Sequence, residues 1–360
     1  MQLFHLGWND AFAASFVRFA AHGWVPARVA CEHKHAYQLY SSEGLLDGTL
    51  TGRFLHEAQT RADLPAVGDW VAVRLRPGES TGDIHAVLPR RSKFSRRAAG
   101  PRPDEQIVAA NVDVVFLVTA LDANYNARRI ERFLAVAWES GAQPVVVLNK
   151  CDLHRSPEQA RQEVTGIALS APVIVVSALH PDCREAFAPH LRPGHTLAFL
   201  GSSGVGKSTL INAILGQPQQ STGANRIDDG RGRHTTTRRE LLLTESGALV
   251  MDTPGMRELQ FHEEGTAVDE TFQDVFELAS ACRFSDCSHR EEPGCAIQLA
   301  LDEGRLDAKR WASYQKLARE EAYAARKSDD SAARKEKAIW KKINAGHRAQ
   351  RAWAHRNHLE

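Results

Sequence analysis

Long apolar runs are missing from this 360-residue chain. No stretch of eighteen apolar residues occurs, which excludes a membrane-spanning helix. The opening MQLFHLGWNDAF lacks a basic segment followed by an apolar core, so no secretion signal is expected. Cysteine is sparse. Three of the six cysteines crowd into 282–295, while Cys31, Cys151 and Cys183 are scattered, and at this length that is no disulfide framework. These absences together predict a reduced, cytoplasmic protein without membrane partners. An excess of one charge is missing too: 45 basic and 44 acidic residues leave +1, and that total alone says nothing about nucleic acid.

What is present supports several cores. Apolar residues make up 43% and charged residues 25%, and a chain this long divides naturally into two or three domains. Residues 1–35 are aromatic and mixed, with Trp8, Phe12, Phe16 and Phe19 spaced for a short amphipathic helix. From 36 onward come short alternating segments, AYQLYS, GTLTGRF, DWVAVRL and GDIHAVL, which read as strands of a small antiparallel barrel or sandwich. Pro65 and Gly68 in PAVGD punctuate a bend. The stretch 89–103, PRRSKFSRRAAGPRP, has six basic residues and no acid, and reads as a basic linker closing a first domain of 36–103.

The grammar then changes. VDVVFLVTA, PVVVLNK, PVIVVSA, HTLAFLG and GALVMDTPG are buried-strand candidates. NARRIERFLAVAWESG has helical spacing and a stop at Gly141. Strands alternating with helices predict a mostly parallel α/β sheet over 104–270. The remainder, 271–360, shows little strand signal. It holds a cysteine cluster and then a helical, basic tail, with 14 Lys/Arg against 6 Asp/Glu from 308 onward.

Gly201, Gly206, Lys207 and Ser208 satisfy GxxxxGK[ST] between a predicted strand and a predicted helix, and Ser202, Ser203, Gly204, Val205 and Thr209 complete the candidate nucleotide-binding stretch. Glycines let successive N–H groups face phosphate oxygens, and the helix adds its unpaired N-terminal donors. Lys207 can reach the β- and γ-phosphates, and the Ser208 hydroxyl can ligate Mg²⁺. The bland alternative, a glycine-rich strand-to-helix turn, does not account for the whole pattern.

The base is chosen elsewhere. Asn149, Lys150 and Asp152 form NKxD after a strand. A carboxylate accepts both N1–H and the exocyclic amine of guanine, a donor pair that adenine lacks on that edge, so an ATPase is disfavoured. Lys150 can lay its stem along the purine, Asn149 can tie loops together, and Ser177, Ala178 and Leu179 can present an N–H to the guanine carbonyl. Downstream, Asp252 and Gly255 of DTPG are placed for Mg²⁺, through water, and for the γ-phosphate. GRGRHTTTR offers threonine hydroxyls, Thr236 among them, to the metal. The motifs run base loop, second base loop, phosphate loop, first switch, second switch. Joining old termini and opening new ones elsewhere leaves one site in space. The position that often holds a water-orienting glutamine is Met256, which leaves His234 as the candidate to orient water, against a bland role in shaping the loop.

Cys282, Cys287, His289 and Cys295 give C-x4-C-x-H-x5-C. Three thiolates and one imidazole are the right donors for a closed, structural zinc site. The basic tail and the 89–103 stretch offer faces suited to phosphate, with a solvated helix surface or a protein contact as competing readings.

The order NKCD, SAL, GSSGVGKS, GRHTTT, DTPG resembles the circularly permuted GTPases. With the preceding β domain and the following Cys/His cluster, 36–300 resembles the RsgA (YjeQ) family. That resemblance implies an N-terminal OB-fold, a permuted P-loop GTPase domain, and a C-terminal zinc-binding and helical domain. It also implies hydrolysis of GTP to GDP and phosphate, stimulated by the 30S ribosomal subunit, with a role late in that subunit's assembly. The 30S particle, its 16S rRNA and ribosomal proteins are the expected partners, and the protein is expected to be a monomer. It points to the same His234. A nucleotide-regulated RNA-binding switch, with hydrolysis incidental, is the alternative.

Overall fold

The computed structural model describes residues 1–33, 36–97, 105–123, 125–168, 170–216, 239–252, 267–284, 286–290 and 292–322. It forms two compact units, residues 1–260 with 269–273, and residues 261–268 with 274–360.

In the first unit, Asn9 starts helix α1 (Asp10–Ala20) by accepting from the N–H groups of Ala11 and Phe12. Phe12, Phe16 and Phe19 fall on one helical face and are buried, as the spacing predicts. Trp8 meets Trp70 edge-on at 4.7 Å, so the N-terminal aromatics pack on the next layer.

That layer is a closed barrel of β1 (Val25–His33), β2 (Ala36–Ser41), β3 (Gly44–Leu50), β4 (Trp70–Leu75) and β5 (Thr81–Val87). The order is β1-β2-β3-β5-β4, and β4 returns to β1. All pairs are antiparallel except β3–β5. Helix α2 (Gly52–Glu57) lies between β3 and β4, an arrangement that settles barrel over sandwich and fits an OB-fold. Val29, Leu39, Leu46, Val71, Val73 and Ile84 fill its interior.

Three readings change here. The barrel begins at Val25, ahead of residue 36, the expected start of the first domain. GTLTGRF is not one strand, because Thr51 accepts from Phe54 N–H and turns the chain into α2. The basic stretch is more than a linker: β6 (Lys93–Arg97) pairs antiparallel with β7 (Glu105–Ala110). Much of its charge is answered internally, by Arg90–Asp69 at 2.7 Å, Arg91–Asp113 at 2.9 Å and Lys93–Glu105 at 3.4 Å.

The α/β part contains β8 (Val114–Ala120), α3 (Ala127–Ser140), β9 (Gln143–Asn149), α4 (Pro157–Ala168), β10 (Val173–Val175), β11 (Thr196–Leu200), α5 (Lys207–Leu215), β12 (Glu240–Leu243) and β13 (Leu249–Asp252). Helix α3 runs from its Asn126 cap to a left-handed Gly141, close to the predicted span. Strands β10-β9-β8-β11-β13 are parallel neighbours; the apolar runs of β9, β8, β11 and β13 are buried, and β10 at the edge is half-buried. β12 pairs antiparallel with β13, then hands the sheet to the barrel through Cys31↔Glu240. Barrel and α/β sheet are therefore one continuous surface of eleven strands.

Among the described residues the second unit is helical. It includes α6 (Ala267–Thr271) in part, α7 (Gln273–Ser280) from Asp274, α8 (Ala296–Asp302), and a helix over 308–322. Arg310 clamps Asp274 with two bonds of 2.6 and 2.7 Å.

Candidate functional site

In a parallel sheet, ligands gather where strands end at their carboxyl edge. Here β9 ends in NKCD, β10 leads to SAL, β11 ends at Gly201, and β13 ends at Asp252. The register Ala198↔Met251 keeps Asp252 at the same edge as Gly201.

The phosphate loop is built by close approach. A Cβ on Gly201 would meet the Val118 carbonyl oxygen at 2.3 Å, and one on Gly206 would meet Asn149 Nδ2 at 2.3 Å. Gly206 also has a φ of +94°, which side chains resist. Helix α5 starts at Lys207, with Ser208 and Thr209 in its first turn. The Lys207 ammonium donates to the carbonyls of Gly201 and Ser202, both at 2.7 Å, and so lies over the loop's opening strand end. Ser203 and Gly204 are exposed at the tip, and Val205 packs into the core below.

The base loops meet this loop through Asn149. That side chain is buried, donates from Nδ2 to Val205 O at 2.8 Å, and accepts from Ala178 N–H at 2.9 Å. One amide therefore ties NKCD, SAL and the phosphate loop together. Lys150 takes a left-handed φ of 60°, and Asp152 follows on a short 3-10 turn, exposed. Ser177 and Ala178 are half-buried, and Leu179 projects into solvent. Cys151, between Lys150 and Asp152, is kept as a neutral thiol, because burial and then the Asp152 carboxylate push its pKa up.

Two residues here escaped the sequence reading. Asp122, just past β8, holds the Lys150 ammonium at 3.0 Å. Arg129, in the first turn of α3, donates from Nη1 to Ser202 Oγ at 3.0 Å. β8 lies between β9 and β11, so its turn reaches base loop and phosphate loop alike. Neither residue belongs to a motif; the only prior signal was their place after a buried strand.

His234, Thr236, Gly255 and Met256 lie outside the described residues, as do 323–360 of the basic tail. Asp252 is described in its backbone alone.

In the second unit, Cys282, Cys287, His289 and Cys295 converge, with all four ligand atoms within 4.8 Å of one another. Ordinary zinc bond lengths at tetrahedral angles put sulfurs about 3.8 Å apart and sulfur about 3.6 Å from nitrogen. Cys282 and Cys295 Sγ are 4.0 Å apart, and His289 Nδ1 is 3.5 and 3.6 Å from them. The donor set fits the ion. Ala296 N–H points at Cys282 Sγ at 3.4 Å, Gln298 holds the His289 carbonyl at 2.7 Å, and Trp311 packs edge-on against the imidazole.

A sequence model of the family described as RsgA GTPase matches residues 87–262. A protein of Opitutus terrae named small ribosomal subunit biogenesis GTPase RsgA is 57% identical over 97% of this chain and 98% of its own. One of that name from Methanosarcina acetivorans is 37% identical, over 94% and 90%. The crystal structure of YjeQ from Thermotoga maritima superposes with a TM-score of 0.63 at 28% identity, covering 83% of this chain and 99% of its own. YloQ, a circularly permuted GTPase, gives 0.60 at 23% identity, covering 84% and 96%, and speaks to the fold alone.

Proposed function

Because the chain belongs to the RsgA GTPase family, whose members hydrolyse GTP, we propose that it turns over GTP on the small ribosomal subunit late in that particle's assembly. It is a GTP-hydrolysing enzyme of small-subunit biogenesis. The observation that carries the site assignment is Asn149, whose single amide joins the two base loops to the phosphate loop. Around it, Asp152 reads guanine, with Ser177, Ala178 and Leu179 offering a backbone N–H to the guanine carbonyl. The loop from Gly201 to Thr209 cradles the phosphates. Ser208, Thr236 and Asp252 hold Mg²⁺, Gly255 senses the γ-phosphate, and His234 orients the attacking water. The Cys282, Cys287, His289 and Cys295 cluster holds one structural zinc. In this reading the chain divides at about 103 and 270 into barrel, GTPase and zinc-binding parts.

The RNA partner is the 16S rRNA of that subunit, engaged by the barrel and the basic tail. The internally paired arginines near 90 contribute less. Ribosomal proteins are further contacts. The protein works in the cytoplasm as a monomer; among the described residues, no helix is long and apolar enough to cross a membrane.

The test is GTP turnover at fixed nucleotide with and without purified 30S particles. Stimulation by 30S that disappears in His234→Ala is expected. Equal rates with and without particles would overturn the ribosomal role, and an unchanged stimulated rate in the variant would remove His234 from catalysis.

A further inference from the structure

Two cations converge on one residue of the phosphate loop. Lys207 Nζ holds the Ser202 carbonyl at 2.7 Å, and Arg129 Nη1 holds the Ser202 hydroxyl at 3.0 Å from another element, the first turn of α3. The lysine of such a loop serves the β- and γ-phosphates, so the residues its ammonium rests on mark the terminal-phosphate side of the cradle. A guanidinium there has five N–H donors, and the bond to Ser202 uses one. Asp122, just past β8, holds Lys150 at 3.0 Å, so residues at the end of β8 and at the start of α3 both bond to the candidate nucleotide site.

We propose that Arg129 is an in-chain cation for the terminal phosphate of GTP, aimed by Ser202, and that it serves hydrolysis rather than nucleotide binding. This rests on reading 201–209 as the phosphate loop. In the reaction, water oxygen bonds to the terminal phosphorus and the bond to the bridging oxygen breaks. That bond's electron pair leaves on GDP, and the water's proton ends on the released phosphate. Arg129 exchanges no proton. It stabilises charge on the equatorial and bridging oxygens as the bond loosens, the service an arginine supplied in cis or in trans gives other GTPases. A charge contribution of this kind is independent of how water is oriented, so Met256 in place of glutamine does not bear on it.

The experiment uses the full chain. Single-turnover hydrolysis of bound GTP is measured beside affinity for GDP, and for GDP with aluminium fluoride, in wild type, Arg129→Ala, Arg129→Lys, Ser202→Ala and Lys207→Ala. For Arg129→Ala, the chemical rate should fall about 100-fold, the scale on which a transition-state donor is lost. GDP affinity should stay within about threefold, and the gain in affinity from aluminium fluoride should vanish. Arg129→Lys should recover only part, since an ammonium cannot hold Ser202 and phosphate in one plane. Ser202→Ala should fall between. A rate unchanged in Arg129→Ala overturns the proposal, and so does a rate loss matched by an equal loss of GDP affinity, which would make the arginine a brace. If Lys207→Ala binds and hydrolyses GTP like wild type, the phosphate-loop reading itself fails. If it does not, failure in Arg129→Ala is specific to the arginine.

Discussion

Asn149 Nδ2 donates to the carbonyl oxygen of Val205 at 2.8 Å across 56 residues of chain. The same side chain accepts from Ala178, and it is almost wholly shielded from solvent. The sheet brings β9 and β11 to the same edge through β8, and this bond fixes the loops that follow them against each other.

Asn149→Ala should therefore cost both stability and nucleotide. It leaves Val205 O and Ala178 N–H without their partner, each worth about 1–3 kcal/mol where water cannot reach. We expect a clear drop in Tm and at least about a tenfold loss of GTP affinity, measured with a fluorescent nucleotide. Asn149→Asp keeps the acceptor for Ala178 but sets a buried carboxylate against the Val205 carbonyl, so it should cost at least as much as the alanine variant. A variant with wild-type affinity would show that the loops are registered by packing alone.

Base choice gives the second prediction. Asp152→Asn exchanges a double acceptor for a side chain that offers one acceptor and one donor, which suits xanthine better than guanine. A lost bidentate base contact costs about 1–3 kcal/mol, or about tenfold to a hundredfold. Competition of labelled GTP by XTP and ATP should show XTP gaining on GTP in the variant, with ATP weak throughout. Unaltered preference would remove Asp152 from base recognition.

The motifs were legible because residue type and spacing mark them: glycines where backbone must approach closely, Asp152 in NKxD just after a strand, and three thiols with one imidazole in a short stretch. The α/β strands were legible because burial on both faces makes their apolar runs continuous. Other features depend on partners distant in sequence. β1 hides in VPARVACEH, where the fully buried Arg28 and a bulge after Val29 break the alternation. β6 hides among charges because its partners come from β7: Glu105 stands opposite Arg97 in the ladder and takes the Lys93 ammonium at 3.4 Å. Asp122 and Arg129 acquire meaning only once β8 is seen between β9 and β11.

The third prediction concerns the cysteine centre. Purified protein should carry one zinc, and the cobalt-substituted form should show the strong visible absorption of a tetrahedral three-sulfur, one-nitrogen site. Cys295→Ser should lose most of the metal and loosen α8, which begins immediately after it. GTP affinity should persist, because the nucleotide residues lie in the other compact unit. Retention of stoichiometric zinc in Cys295→Ser would exclude this residue as a ligand.

Arg28 is the fourth case. Fully buried, it gives Nε to Gly68 O at 3.1 Å, Nη2 to Asn111 O at 3.1 Å and Nη1 to Leu6 O. It thereby fastens the N-terminal segment and a barrel turn to the entry of β8. Gly68 allows this approach, since a Cβ there would meet Ala110 O at 2.1 Å. Burial lowers the Arg28 pKa to about 10, against the pull of Asp113 and Asp69, so it stays charged at neutral pH. A base whose folded pKa is depressed costs stability in full below about 10, and that cost is relieved only as pH rises from there toward the unfolded value. The charge is nevertheless answered by three carbonyls, of which Gly68 O also accepts from Asn111 Nδ2 at 3.1 Å. Arg28→Ala should destabilise by about 3–5 kcal/mol, and Arg28→Lys by less but still substantially, since one ammonium cannot span three acceptors. The difference from wild type should be flat between about pH 6 and 9, as no titration of Arg28 falls there. Urea unfolding at several pH values checks both size and flatness. A loss under about 1 kcal/mol would mean that water or repacking takes over the carbonyls.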